Sequence, residues 1–102
     1  MYYNVLKLKD LIELESGKTF EKKILMQNDT SLLEIVGLKK EGIIDTHTST
    51  NNTAIFVIEG EIELHFSAEK FKIDKGEFLM FKKDHEHKVL ALKDSKFLLV
   101  KI

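Results

Sequence analysis

The alternation of apolar and polar residues is the feature that most limits what this chain can fold into. In EIELHF (61–66), the apolar residues Ile62, Leu64 and Phe66 alternate with charged or polar neighbours. Successive side chains of a β-strand point to opposite faces, so an apolar residue at every second position indicates a half-buried strand. This segment therefore predicts a strand with one face in a core and the other face toward solvent.

Further apolar runs extend this prediction along the chain, with turn residues recurring every ~8–12 positions, as in sandwiches and barrels. The predicted strands are TFEKKILM (19–26), SLLEIVGL (31–38), the two halves of IFVIEGEIELHF (55–66), EKFKI (69–73), EFLMF (77–81), KVLAL (88–92) and FLLVKI (97–102). The segment KDLIELESG (9–17) predicts one short helical turn started by Asp10, whose side chain can cap backbone N–H groups. The predicted fold class is all-β, with about eight to ten short strands.

The 102 residues are predicted to form a single domain, with lead-in strands in residues 1–30 and a barrel in residues 31–102. In AIFVI (54–58) and FLLV (97–100), apolar side chains occupy both faces of the strand. Both faces then need cover. We expect a partner subunit to cover the outer face and therefore predict a homodimer, with burial under the amino-terminal segment as the alternative.

Composition and charge argue against several classes of partner. The chain has no cysteine, which excludes disulfides and thiolate metal sites and fits a reducing cytoplasm. Its 16 basic and 17 acidic residues are intermixed and give a net charge of −1, so no basic face for nucleic acid is predicted. No apolar run approaches the ~20 residues that span a bilayer, and the amino terminus lacks a signal-peptide pattern. We predict a cytoplasmic protein without nucleic-acid or membrane partners.

The stretch DTHTSTNNTAIFVIEG (45–60) combines one histidine, a polar run and an apolar strand that ends in a glycine turn. This order resembles the first motif of the cupin family: glycine, five residues, His-x-His, three or four residues, glutamate, six residues and glycine. Gly60 occupies the last position of the motif and His47 that of the first histidine. Ser49 and Thr53 stand at the positions of the second histidine and the glutamate.

The stretch GEFLMFKKDHEHKVLA (76–91) resembles the second cupin motif: glycine, five residues, Pro-x-Gly, two residues, histidine, three residues and asparagine. Gly76 and His87 stand at the right spacing. The proline, the second glycine and the asparagine are replaced by Lys82, Asp84 and Ala91. The resemblance covers about residues 35–102 and implies a double-stranded β-helix, or jelly-roll, barrel.

Cupins of this pattern hold a divalent metal with three histidines and one glutamate. The resemblance makes His47 and His87 the retained metal-ligand positions, with Zn, Mn, Ni or Fe as the candidate ion. Hydroxyls occupy two other ligand positions, and because they are poor neutral ligands we expect a two-histidine site to bind metal weakly. The candidates for a third ligand, each at the strand parity of one of these histidines, are Asp45 and His85. His47 matters for function only if His87 meets it across the barrel.

Without a metal, the two histidines would serve as donor and acceptor or as a general base in a pocket. Cupin barrels often contain a small-molecule cavity, which the resemblance implies here. The predicted ligand-binding residues are Ser49, Thr53, Ile55, Val57, Phe78 and Met80. Simple core filling is the favoured alternative for the four apolar members of this set.

The resulting hypothesis is a small cupin barrel with a degraded metal site that binds a small molecule. One alternative is a metal-dependent enzyme, a dioxygenase or an isomerase, acting on a small organic acid or sugar. A second alternative is a non-catalytic dimeric interaction module. The sequence leaves open whether the protein is an enzyme and whether it carries a metal.

Overall fold

The computed structural model describes residues 3–102, and within them it contains nine β-strands and one 3-10 turn. The strands are β1 (Phe20–Gln27), β2 (Leu32–Leu38), β3 (Ile43–Thr48), β4 (Thr53–Glu59), β5 (Glu61–Phe66), β6 (Lys70–Asp74), β7 (Phe78–Phe81), β8 (Glu86–Ala91) and β9 (Ser95–Lys101). The all-β prediction is confirmed. Strand β3 is the one that the apolar pattern does not reveal, because its residues after Ile44 are polar.

The strands form two antiparallel sheets that pack face to face. The five-stranded sheet has the order β1-β2-β9-β4-β7, and the four-stranded sheet has the order β3-β8-β5-β6. Strands that follow one another in the chain, such as β2 and β3 or β4 and β5, lie in different sheets. This crossing between sheets gives the jelly-roll arrangement that the resemblance implies.

The core lies between the sheets and uses one face of each. Ile55 and Val57 of β4 and Phe97 of β9 supply the five-stranded side, while Ile62 and Leu64 of β5 supply the other. The predicted alternation in β5 is therefore confirmed. Burial of each such side chain stabilises the fold by about 1.5–3 kcal/mol, which makes this cluster the main source of cohesion between the sheets.

Gly60 closes the turn between β4 and β5 in a backbone conformation with φ of +85°. A Cβ atom at this position would lie 2.3 Å from the Ser95 hydroxyl and 2.4 Å from the Asp94 carbonyl oxygen. The buried Ser95 hydroxyl accepts a hydrogen bond from the Glu61 N–H at 3.0 Å. The turn therefore requires glycine both for its φ angle and for the space beside the start of β9.

The amino-terminal segment differs from the predicted helical turn at residues 9–17. The structure has a 3-10 turn at Leu8–Asp10, in which Asp10 is the last residue, and no side chain caps its start. The residues that follow have no regular secondary structure. Among them, Ile12 and Leu14 pack against Gly37 on the outer face of β2. This part of the outer face is thus covered by the chain's own amino-terminal segment.

Within residues 3–102, no helix has the length and apolar character that crossing a lipid bilayer requires.

Candidate functional site

The two predicted metal-ligand histidines meet on neighbouring strands of the four-stranded sheet. His47 of β3 pairs directly with His87 of β8 in the antiparallel register. Their ring centroids are 4.2 Å apart and the ring planes are inclined by 60°. The pair thus forms side by side within one sheet, at the edge formed by β3, and not across the barrel.

Backbone carbonyls fix the tautomer of both rings. His47 Nδ1 lies 2.9 Å from the Asp45 carbonyl oxygen, and His87 Nδ1 lies 2.9 Å from the His85 carbonyl oxygen. A carbonyl oxygen can only accept, so in each neutral ring Nδ1 carries the hydrogen and donates it. Nε2 then keeps its lone pair in both rings. Such second-sphere hydrogen bonds are the usual way in which a histidine is oriented as a ligand or base.

His87 is the buried member of the pair, with 4% of its surface exposed, whereas His47 is exposed. The ring of His87 also packs against Phe81, with centroids 4.7 Å apart. Burial lowers the pKa of His87, and the nearby positive charges of His47 and Lys101 lower it further, against the opposing effect of the His85 carbonyl. His87 is therefore held in its neutral, lone-pair-bearing form.

The histidine pair lines a cavity of about 150 Å³ between the two sheets. Thr53 and Ile55, two of the predicted ligand-binding residues, lie in its wall. The rest of the apolar wall comes from both sheets and consists of Phe20, Val36, Ile44, Val89, Phe97 and Leu99. Such a mostly apolar cavity with a few convergent polar groups is the usual form of a small-molecule site.

Three charged residues of the same cavity were not predicted from the sequence. Lys22, Glu34 and Lys101 lie in the cavity wall on β1, β2 and β9. Glu34 is buried, and its Oε2 atom has no hydrogen-bond partner among the residues that the structure describes. The signal that could have found it is a single acidic residue inside the apolar run SLLEIVGL (31–38).

The hydroxyls at the two remaining cupin ligand positions are tied into a turn. Ser49 and Thr53 are both buried, and the Thr53 hydroxyl donates to the Ser49 hydroxyl at 3.3 Å. The Ser49 hydroxyl in turn donates to the Asn51 carbonyl and accepts from the Asn51 N–H, at 3.0 and 3.1 Å. Thr53 lies in the cavity wall, whereas Ser49 stabilises the turn behind it.

The candidate third metal ligands, Asp45 and His85, do not lie with the histidine pair in this structure. Among residues 3–102, no three His, Cys, Asp or Glu side chains lie together as a metal-ligand set. The register of β3 shifts between Ile44 and His47, which invalidates the parity argument for Asp45. His85 lies in a separate groove beside Phe71, after the left-handed residue Asp84.

Two imidazoles and two hydrogen-bonded hydroxyls do not match the three or four ligands of a resident catalytic metal.

The remaining predicted ligand-binding residues lie outside the cavity. Val57 belongs to the closed core, in keeping with the core-filling alternative. Phe78 and Met80 pair with Phe56 and Ala54, so all four lie on the outer face of the five-stranded sheet. Phe78 is 53% exposed and Met80 is 70% exposed. Alternation places these two on one face correctly, but it does not tell which face of β7 points inward.

Comparisons with known proteins agree with this architecture. The family model described as "Cupin domain" matches residues 34–102. A conserved protein of unknown function from Streptococcus pyogenes superposes with a TM-score of 0.91 at 20% identity, covering 100% of this chain and 89% of that one. A cupin superfamily protein from Desulfitobacterium hafniense superposes with a TM-score of 0.90 at 18% identity, covering 97% and 90%.

A third similar structure is KdgF from Halomonas sp., with a TM-score of 0.72 at 19% identity, covering 85% of this chain and 83% of that one. A search of curated protein sequences gave no significant match. At these identities the superpositions establish the shared fold.

Proposed function

We propose that this chain, which belongs to the cupin domain family through its match over residues 34–102, binds a small molecule in the cavity between its two sheets. The observation that carries this proposal is the histidine pair in the cavity wall. His47 and His87 both line a mostly apolar cavity, and their Nδ1 hydrogen bonds leave both Nε2 atoms free to accept. The imidazoles orient the ligand, while the apolar walls exclude water from it.

The volume of the cavity sets the size of the ligand. A dry cavity of about 150 Å³ in another protein holds benzene, so the cavity of similar volume here suits a molecule of about six non-hydrogen atoms. The nearby Lys101 and the neutral His87 add polar contacts at one side of the cavity. A small molecule with at least one polar group fits this combination.

The test is a screen of small acids, amines, alcohols and sugars by amide chemical-shift changes in the 15N-labelled protein. We expect hits that shift amides lining the cavity and that Ile44→Phe abolishes, because this substitution fills the cavity from β3. Ile43→Phe is the matched control, since Ile43 is the exposed neighbour. Hits that survive Ile44→Phe, or a screen that shifts no cavity amide, would overturn the proposal.

A second candidate function is divalent metal binding by His47 and His87, with a bound organic ligand completing the coordination. The side-by-side Nε2 lone pairs favour it. The metal would supply Lewis-acid chemistry, and the two imidazoles would hold and orient it. Zinc titration of the metal-free protein with and without a molecule that binds the cavity tests this candidate. Zinc binding that this molecule tightens, and that the double variant His47→Ala with His87→Ala loses, would support it over metal-free ligand binding.

We also propose that the chain forms a homodimer through the outer face of the five-stranded sheet. Two apolar grooves on this face share Val100 and Ile102 in their walls. Met26 and Met80, one from each groove, are both 70% exposed. A second copy of the chain would bury this surface, which the amino-terminal segment leaves open.

A further inference from the structure

Glu34 is a buried charged residue of the cavity wall that the proposed function does not yet use. It lies in the middle of β2, is 4% exposed and lines the cavity. Its Oε2 atom has no hydrogen-bond partner among the described residues. A buried carboxylate oxygen without a donor is unfavourable, so such a group in a cavity wall indicates a site for a donor from a ligand.

The neighbouring strands place no donor directly beside this carboxylate. Glu34 pairs with Ile24 on β1 and with Leu99 on β9, and both partners are apolar. Lys22 and Lys101 lie on the same face of the sheet as Glu34, at diagonal positions. Each of the two lysines pairs with a β2 residue that lies two positions from Glu34. Diagonal neighbours are about 7–8 Å apart, and no ion pair of the described residues joins Glu34 to either lysine.

A lysine, Lys101, lies close to the histidine pair, although the histidines belong to the opposite sheet. Lys101 pairs with Thr53 at the end of the cavity and is close enough to His87 to lower the pKa of that ring. The Nδ1 hydrogens of both rings are already bound to backbone carbonyls, so they are not available to a ligand. Lys101 is therefore the cavity's donor for a negatively charged group near the histidines.

We propose that the ligand is a small carboxylic acid that also carries a hydrogen-bond donor, with Glu34 accepting from the donor and Lys101 binding the carboxylate. This inference rests on the proposed function and names the ligand class of the same cavity. The donor is a hydroxyl or an ammonium group. Both satisfy Glu34, and a three-carbon acid has the size that the cavity of about 150 Å³ accommodates.

The test is an amide chemical-shift titration with four matched three-carbon probes. L-lactate and L-alanine carry both groups, propionate lacks the donor, and propane-1,2-diol lacks the carboxylate. We expect lactate or alanine to bind the wild type about tenfold more tightly than propionate or the diol, the effect of a hydrogen bond to a charged group. Binding of lactate without alanine identifies a hydroxyl donor, and the reverse identifies an ammonium donor.

Two variants assign the contacts. Glu34→Met, which removes the acceptor oxygens, is expected to lose the preference for the donor-bearing acid over propionate, while the control Glu15→Met, at an exposed position outside the cavity, keeps it. Lys101→Met is expected to weaken the binding of the probes that carry a carboxylate and to leave that of the diol unchanged. Lys23→Met, at an exposed position, is expected to leave all four affinities unchanged.

Equal affinities for lactate, alanine and propionate in the wild type would overturn the inference without any variant. A preference that persists in Glu34→Met would also overturn it. If other molecules of the screen bind the cavity but none of these acids does, the inference fails and the proposed function stands. If nothing binds the cavity, both fail.

Discussion

His47 and His87 stand directly opposite each other on β3 and β8, with ring centroids 4.2 Å apart, and each ring donates Nδ1–H to a nearby backbone carbonyl. The carbonyl belongs in both cases to the residue two positions earlier. The same local hydrogen bond therefore turns both Nε2 atoms away from the backbone. The cavity gains two preorganised acceptors without any contribution from other side chains.

Burial of His87 predicts a loss of stability at acidic pH. Its folded pKa lies below the ordinary value of 6.5, chiefly because burial disfavours the charged ring. Between these two pKa values the unfolded chain binds a proton that the folded chain does not, so the free energy of unfolding falls as pH drops through this window. Urea unfolding above and below pH ~6.5 measures the effect. We expect a flatter pH profile for His87→Gln than for the wild type.

The control for this experiment is His85→Gln, at an exposed position in the loop before β8. It is expected to keep the wild-type pH profile. Parallel profiles of the wild type and His87→Gln would contradict the assignment.

Two turn glycines with the same φ angle predict very different costs of substitution. Gly60 has φ of +85° and Gly76 has φ of +86°, but no heavy atom lies within 4 Å of a Cβ built on Gly76. Gly76→Ala is therefore expected to lower the free energy of unfolding by about 1–2 kcal/mol, the cost of the left-handed backbone. Gly60→Ala is expected to cost about 1–3 kcal/mol more, because its Cβ overlaps Ser95. Equal losses in chemical denaturation would contradict the role of Ser95.

The fold was predictable because its signals are local. Alternation in β5 and the glycine turns before β5 and β7 can be read from neighbouring residues, and Ile62, Leu64 and Gly60 lie where these patterns place them. Strand β3 could not be predicted from such local patterns. It carries the polar residues of the site, and its register shift between Ile44 and His47 breaks the period of two.

The site was predictable only in part, because it depends on contacts between distant strands. The pairing of His47 with His87 follows from the register of β3 and β8, which the family motif implied but apolar periodicity could not. Glu34 was missed since a charged residue within an apolar strand does not reveal whether it faces a cavity or solvent. Phe78 and Met80 show the same limit, because alternation groups residues by face without stating which face is inner.

The exposed apolar face predicts the oligomeric state. Replacing Met80 with glutamate puts a charge into the surface that we propose as the dimer contact, so Met80→Glu is expected to convert a dimer into a monomer. Ile43→Glu is the matched control, because Ile43 is also a large exposed apolar residue but lies on the other sheet. Sedimentation equilibrium gives the mass. A monomeric wild type, or a dimer that Met80→Glu leaves intact, would argue against this interface.

The hydroxyls at positions 49 and 53 predict that metal affinity is limited by ligand number. With His47 and His87 alone, the wild type is expected to bind zinc weakly. Ser49→His with Thr53→Glu restores the cupin ligand types at the motif positions, and Thr53 already lies in the cavity wall. We expect this double variant to bind zinc more tightly by well over tenfold, roughly the factor that a single supporting group contributes at metal sites.

Competition with a chromophoric chelator measures both zinc affinities. Both hydroxyls also stabilise the turn around Asn51, so some loss of thermal stability in the metal-free variant is expected. Ser49→Ala with Thr53→Val is the control, since it removes the same hydrogen bonds without adding ligands and should leave zinc binding weak. Tight zinc binding by the wild type, or no gain in the restored variant, would show that ligand number is not what limits this site.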